Sequence, residues 1–178
     1  MLILHRPTIV TSEKVGTGTI VIEDGLIREV LYADAEDYDF RVSRLMSANP
    51  GAEIHDLEGK HVIAGGIDAH VHFRDPGLTH KADIHTESMA VAAGGVTSYM
   101  DMPTTNPQTT TLEALEEKFK NAETKSVVNY SFYFGATNNN AHLLPQLNKQ
   151  QVCGVKLFMG ASTGNMLVDK MQILKQIF

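Results

Sequence analysis

The rhythm of hydrophobic and polar positions changes near residue 65, and the change separates two kinds of architecture. Before it, short apolar runs predict strands at Leu2 to His5, Thr19 to Glu23, Leu26 to Tyr32 and His61 to Ile63. Asp24-Gly25 lies between two of these runs, and both residues tolerate the positive φ of a tight primed turn, so the pair predicts a hairpin. The stretch Ala33 to Pro50 is polar, shows no clear period, and reads as an irregular excursion within a small β subdomain.

After residue 65, strand-like and helix-like segments alternate. Ile67 to His72 predicts a strand, His85 to Ala93 a helix ended by Gly94-Gly95, and Val96 to Met100 a second strand. Thr110 and Glu113 have the spacing of a capping box opening a helix to about Thr124. Val127 to Phe134 predicts a third strand, His142 to Lys149 a short helix, Val152 to Phe158 a fourth strand, and Val168 to Phe178 the start of a further helix. Four strand–helix units in succession imply a parallel sheet covered by helices. The expected organisation is therefore a β subdomain over residues 1–64 and an α/β domain over residues 65–178. In such domains the chemistry collects at the C-terminal ends of the strands.

Composition narrows the partners. The 178 residues carry 43% hydrophobic and 20% charged side chains, as a globular chain does. A formal charge of −6 without a basic patch argues against nucleic acid or an anionic membrane and leaves small molecules. No apolar run approaches the ~20 residues of a membrane helix, and the N-terminal MLILHRPTIV has too short an apolar run for a signal peptide. One cysteine, Cys153, excludes an intramolecular disulfide framework. A cytoplasmic location is the expectation, with Cys153 a small buried residue.

The candidate chemistry begins at GGIDAHVHFRDPG, residues 65 to 77. His70 and His72 share strand parity and would project together as a metal-ligand pair, or serve as ordinary core or surface histidines. Asp68 has the same parity and could orient an imidazole or cap the strand end. Arg74 follows two positions later with the same parity, and its guanidinium is suited to a carboxylate. Lys156 interrupts the apolar run VKLFMG. It reads either as a lysine snorkelling at the sheet end or as a neutral amine that takes up carbon dioxide to give an anionic carbamate. The loop MPTTNP at 102 to 107 offers hydroxyls and an amide beside the histidines.

Taken together, GGIDAHVHFRDPGLTHKADIHTES, AAGGVTSYMDMPTTNP and GVKLFMGAS resemble the amidohydrolase superfamily, and within it dihydroorotase. The resemblance runs from about Glu58 to Asp169. It implies the first half of a distorted (β/α)8 barrel preceded by a small β subdomain, and the reversible interconversion of N-carbamoyl-L-aspartate and L-dihydroorotate in pyrimidine biosynthesis. It further implies that His70 and His72 hold the more buried of two zincs, that a carboxylated Lys156 bridges them, and that Arg74 grips the substrate carboxylate. Two zincs would acidify a bridging water and polarise the ring carbonyl.

Where the family commonly has MPNT, this chain has Met102-Pro103-Thr104-Thr105, so Thr104, helped by Asn106, is the expected substrate contact in place of the asparagine. From Ile67 onward the chain is shorter than half of the roughly 250 residues a full barrel takes. The histidines after strands five and six and the proton-shuttling aspartate after strand eight are expected beyond residue 178. The partner implied is the remaining half of the barrel or a second copy, and the isolated chain is expected to be inactive. Two alternatives stay open: an allantoinase or hydantoinase-type cyclic amidase, and a non-catalytic half-barrel scaffold.

Overall fold

The computed structural model describes residues 1–161 and 164–178 and divides into two compact units, Met1–Ala64 and Gly65–Phe178. Ser162, at the end of the GVKLFMGAS motif, lies outside the described residues. In the first unit β1 (Leu2–Val10), β2 (Val15–Glu23), β3 (Leu26–Tyr32) and β4 (Glu53–Asp56) form a sheet in the order β3-β2-β1-β4, and β5 (His61–Val62) also pairs with β1. The Asp24-Gly25 hairpin forms as expected, with φ of 51° and 75° and Glu23 opposite Leu26. Ile3, Ile9, Ile20, Val21 and Leu31 supply the buried apolar side chains of this sheet.

Two elements of this unit differ from the sequence reading. Residues Tyr38–Ala48 form a helix, α1, inside the supposed irregular stretch. Its apolar positions, Tyr38, Val42, Leu45 and Met46, do have helical spacing, but only Val42 is fully buried and the intervening polar residues mask the period. Strand β4, parallel to β1, carries mostly exposed side chains and so lacks the apolar alternation by which strands are recognised.

The second unit is a four-stranded parallel sheet, β6 (Gly66–Val71), β7 (Val96–Asp101), β8 (Asn129–Gly135) and β9 (Val152–Lys156), paired in chain order. Helices α2 (Ile84–Ala93) and α3 (Leu112–Lys125) cross between strands, and α4 (Met171–Ile177) follows β9. The predicted helix after β8 is a 3₁₀ turn, Ala141–Gln146, with Pro145 inside it. α4 starts three residues later than the sequence suggested. Asp83 caps α2 by accepting from Thr86 N at 2.9 Å, and Gly95, at φ 82°, takes the left-handed conformation just past the helix. Thr111, and not Thr110, caps α3, its hydroxyl accepting from Ala114 N at 3.2 Å. Thr110 instead gives its carbonyl to the Asn140 amide at 2.8 Å.

Strand alternation sorts the side chains. Val71, Phe73, Tyr99, Phe132 and Phe134 turn toward the helices and join Ile84, Leu115 and Ala122 in the core, with Phe119 edge-on to Phe132. Burying each such aromatic contributes about 1.5–3 kcal/mol, so this layer fixes the register of the strands. On the other face, Tyr133 reaches past β7 and donates its hydroxyl to the Ala69 carbonyl at 3.0 Å, tying β8 to β6. His70 and His72 are turned away from the aromatic core.

Candidate functional site

His70 lies one residue before the end of β6 and His72 one residue after it. Their ring centroids are 5.4 Å apart with planes inclined by 46°, so the two imidazoles share one mouth. The Asp68 carboxylate accepts the backbone N–H of His70 at 3.1 Å, which is the strand-capping alternative. The Nδ1 of His72 is 2.9 Å from the hydroxyl of Thr104. Burial, followed by the charge of Arg74, holds His72 below the ordinary imidazole pKa; His70 and Lys156 push the same way, and Asp101 opposes them. The shift favours the neutral imidazole.

The backbone around His72 is clamped from β7. Met102 N donates to Val71 O, and Phe73 N donates to Asp101 Oδ1, each at 3.0 Å. Asp101 is itself fixed by Lys118, whose Nζ lies 2.7 Å from Oδ2 and donates to the Met102 carbonyl at 3.0 Å. Both side chains are essentially sealed, at 0% and 1% exposure, and the ammonium sits 4.7 Å from the centre of the Phe132 ring. Burial pushes the Lys118 pKa down, while Asp101 acts to hold its proton. Sequence reasoning missed this pair. The signal was Lys118 itself, a charged residue at helical spacing from Leu115 and Ala122 on the buried face of α3.

Arg74 follows in the left-handed region at φ 67° and is half-buried, so it departs from the strand parity of the histidines. Asp75, 2% exposed, secures the turn: its carboxylate accepts from Ile84 N at 3.3 Å and from the Asn121 amide and Lys125 ammonium, both at 2.8 Å. Gly77 at φ 81° lies so close to the loop after β7 that a Cβ there would be 1.8 Å from Asn106 O. Asn106 N in turn donates to Pro76 O at 3.1 Å. The arginine turn and the MPTTNP loop thus meet backbone to backbone. Leu78, Thr104, Thr105, Asn106, Gly164 and Asn165 line an open cleft of about 420 Å³ there.

Lys156 ends β9, opposite Gly135, and its Nζ lies 4.9 Å from the Phe158 ring centre. Among the described residues no cluster of three or more His, Cys, Asp or Glu side chains is arranged to hold a metal. Of the other histidines, His5 lies 3.1 Å from the Thr19 hydroxyl, His55 2.7 Å from the Glu53 carboxylate, and His85 3.2 Å from the Lys125 carbonyl. Cys153 is half-buried, and burial raises its pKa. No described helix is long and apolar enough to cross a membrane.

Known proteins resemble this chain in sequence and in fold. The chain is 36% identical over 151 residues to a dihydroorotase of Methanosarcina acetivorans, covering 85% of this chain and 30% of that protein. It is 40% identical over 116 residues to an allantoinase of Deinococcus radiodurans, covering 65% and 26%. The L-hydantoinase (dihydropyrimidinase) of Arthrobacter aurescens superposes with a TM-score of 0.80 at 27% identity, over 99% of this chain and 37% of that one. The chain thus spans about a third of the length of the proteins it matches. Residues 61–163, which include the paired histidines, the arginine turn, the threonine loop and Lys156, match the Amidohydrolase family, and the chain belongs to that family.

Proposed function

We propose that this chain is the N-terminal part of a zinc-dependent cyclic amidase that interconverts L-dihydroorotate and N-carbamoyl-L-aspartate. The observation that supports the reading is the close pairing of His70 and His72, whose ring centroids are 5.4 Å apart, with the charges of Arg74 and Lys156 both acting on His72. The donors suit a divalent metal: two imidazoles lie side by side with ring centroids 5.4 Å apart, and the environment of His72 favours its neutral, ligating form. The anionic ligand that this pair lacks would come from Lys156 as its carbamate. When bound by His70, His72 and Lys156, zinc supplies Lewis acidity toward an amide carbonyl and acidifies water.

The chain's own residues do the rest. Arg74, held by the Asp75 turn, presents a planar fork to the substrate carboxylate. Thr104 and Asn106, which line the neighbouring cleft, would complete that contact. Lys156 and Arg74 would make the mouth cationic and draw a dicarboxylate in, and carboxylation of Lys156 would exchange one positive charge for a negative one beside the histidines. Hydrolysis adds one water across the ring amide, and the reverse reaction releases it. Turnover requires the part of the protein not represented in this chain.

The matched allantoinase and hydantoinase support a second reading, a cyclic amidase acting on a neutral ring. Ligand titration by calorimetry separates the two. Under the first reading N-carbamoyl-L-aspartate binds, and Arg74→Ala weakens it by about 10- to 100-fold, the loss of a charged hydrogen bond. Preferential binding of hydantoin, unaffected by Arg74→Ala, would replace dihydroorotase with the second reading. Absence of zinc from wild-type protein dialysed against zinc and bicarbonate would return the chain to a scaffold role.

A further inference from the structure

The loop after β8 carries Asn140, which has no part in the chemistry above. The residue is 6% exposed, and both hydrogens of its side-chain amide are used. Nδ2 donates to Gly135 O at 2.9 Å and to Thr110 O at 2.8 Å, while Oδ1 accepts Thr137 N–H at 2.7 Å. Two carbonyls facing the nitrogen and one N–H facing the oxygen admit a single orientation of the amide. Aspartate, of the same shape, would set oxygen against oxygen.

These contacts brace the end of β9. Gly135 is the β8 partner of Lys156 in the sheet, and the next residue, Ala136, donates its N–H to Lys156 O at 2.9 Å. Gly135 N in turn donates to Thr109 O at 2.8 Å, and Thr109 N to Pro103 O at 3.0 Å. Asn140 thus ties the residue opposite Lys156 to the far end of the loop that begins at Met102. Its partners lie outside the aromatic cluster that sets strand register. We propose that Asn140 is a positioning residue for Lys156, fixing where the lysine side chain leaves the backbone, beside the loop that bears Thr104 and Asn106. It acts through the backbone and not through the amine. The role of Lys156 as a carbamate is that of the preceding section, on which this inference rests.

Two variants separate the brace from the general stability of the fold. Asn140→Asp keeps the shape and the acceptor but loses both donors, and Asn140→Ala removes the side chain without adding a charge; if the first does not fold, the second decides. Hydrogen exchange by NMR reads the brace in the metal-free chain. The amide of Ala136, a fully buried residue, is expected to exchange about 10-fold faster in either variant, with the central amides of β7 and β8 unchanged. Dialysis against zinc with and without bicarbonate, followed by elemental analysis, reads the lysine. The bicarbonate-dependent gain should fall about 10-fold, and zinc held without bicarbonate, by the histidine pair, should stay at the wild-type level. An Ala136 amide as slow in Asn140→Ala as in wild type, a loss of protection shared by all strands, or an undiminished bicarbonate gain overturns the inference. Wild type that takes up no zinc, in which Asn140→Ala still frees Ala136 selectively, keeps the brace on Lys156 and removes the metal reading of the preceding section.

Discussion

At the ends of β6 and β7 the functional residues are held by groups sealed from solvent, whereas at the end of β9 Lys156 is half-buried and leans on one aromatic ring. His72 is bracketed by backbone hydrogen bonds from Met102 N and to Asp101, with Lys118 locking the aspartate from below. Arg74 is bracketed by the three donors to Asp75. The Lys156 ammonium lies 4.9 Å from the centre of the Phe158 ring. The difference teaches which parts of the site are fixed by folding and which await chemistry. Histidines and arginine keep their final donor character on folding, whereas under the proposed function Lys156 would become a carbamate and would have to stay reachable by carbon dioxide.

The comparison breaks most visibly at the buried pair. Lys118→Met keeps the volume of the side chain but strands the Asp101 carboxylate, and denaturant unfolding should show a loss of about 3–5 kcal/mol. A loss below about 1 kcal/mol would mean that the sealed pair is not what holds the β7 end. Asp75→Asn retains one acceptor but removes the charge attracting Lys125. Since that lysine is more than a third exposed, the expected loss is smaller, about 1–2 kcal/mol, read in the same unfolding experiment. The smallest effect is expected at β9: Lys156→Met should shift stability by less than about 0.5 kcal/mol. It should nevertheless abolish any bicarbonate-dependent gain in zinc uptake, measured by dialysis and elemental analysis. Destabilisation comparable to that of Lys118→Met would place Lys156 among the structural lysines.

The same contrast explains what could be read from the sequence. The parallel sheet was legible because β6 to β9 are spaced by helix-length segments and their aromatic residues alternate, as Phe132 and Phe134 do. The histidine pair was legible because strand parity alone places His70 and His72 on one face. Parity failed for Arg74, whose positive φ is imposed by the turn that Asp75 anchors, a contact with residues 46 and 50 positions away. The buried Lys118–Asp101 pair was hidden for a related reason: lysine in a helix is normally solvated, and only the fold brings a carboxylate from the neighbouring strand under it. In the first unit, α1 was lost because much of its apolar stripe is only partly covered. Thr104 was noticed as a hydroxyl for substrate, but its distance from His72, 32 residues along the chain, is a property of folding and not of spacing.

Gly77 carries a lesson for anyone reshaping specificity here. With no room between it and the Asn106 carbonyl, the arginine turn and the threonine loop behave as two jaws hinged through one contact. A substitution that repositions one jaw must drag the other, so Arg74 and Thr104 cannot be tuned independently, and variant libraries that randomise residues 74–77 and 104–106 separately will sample mostly misaligned combinations.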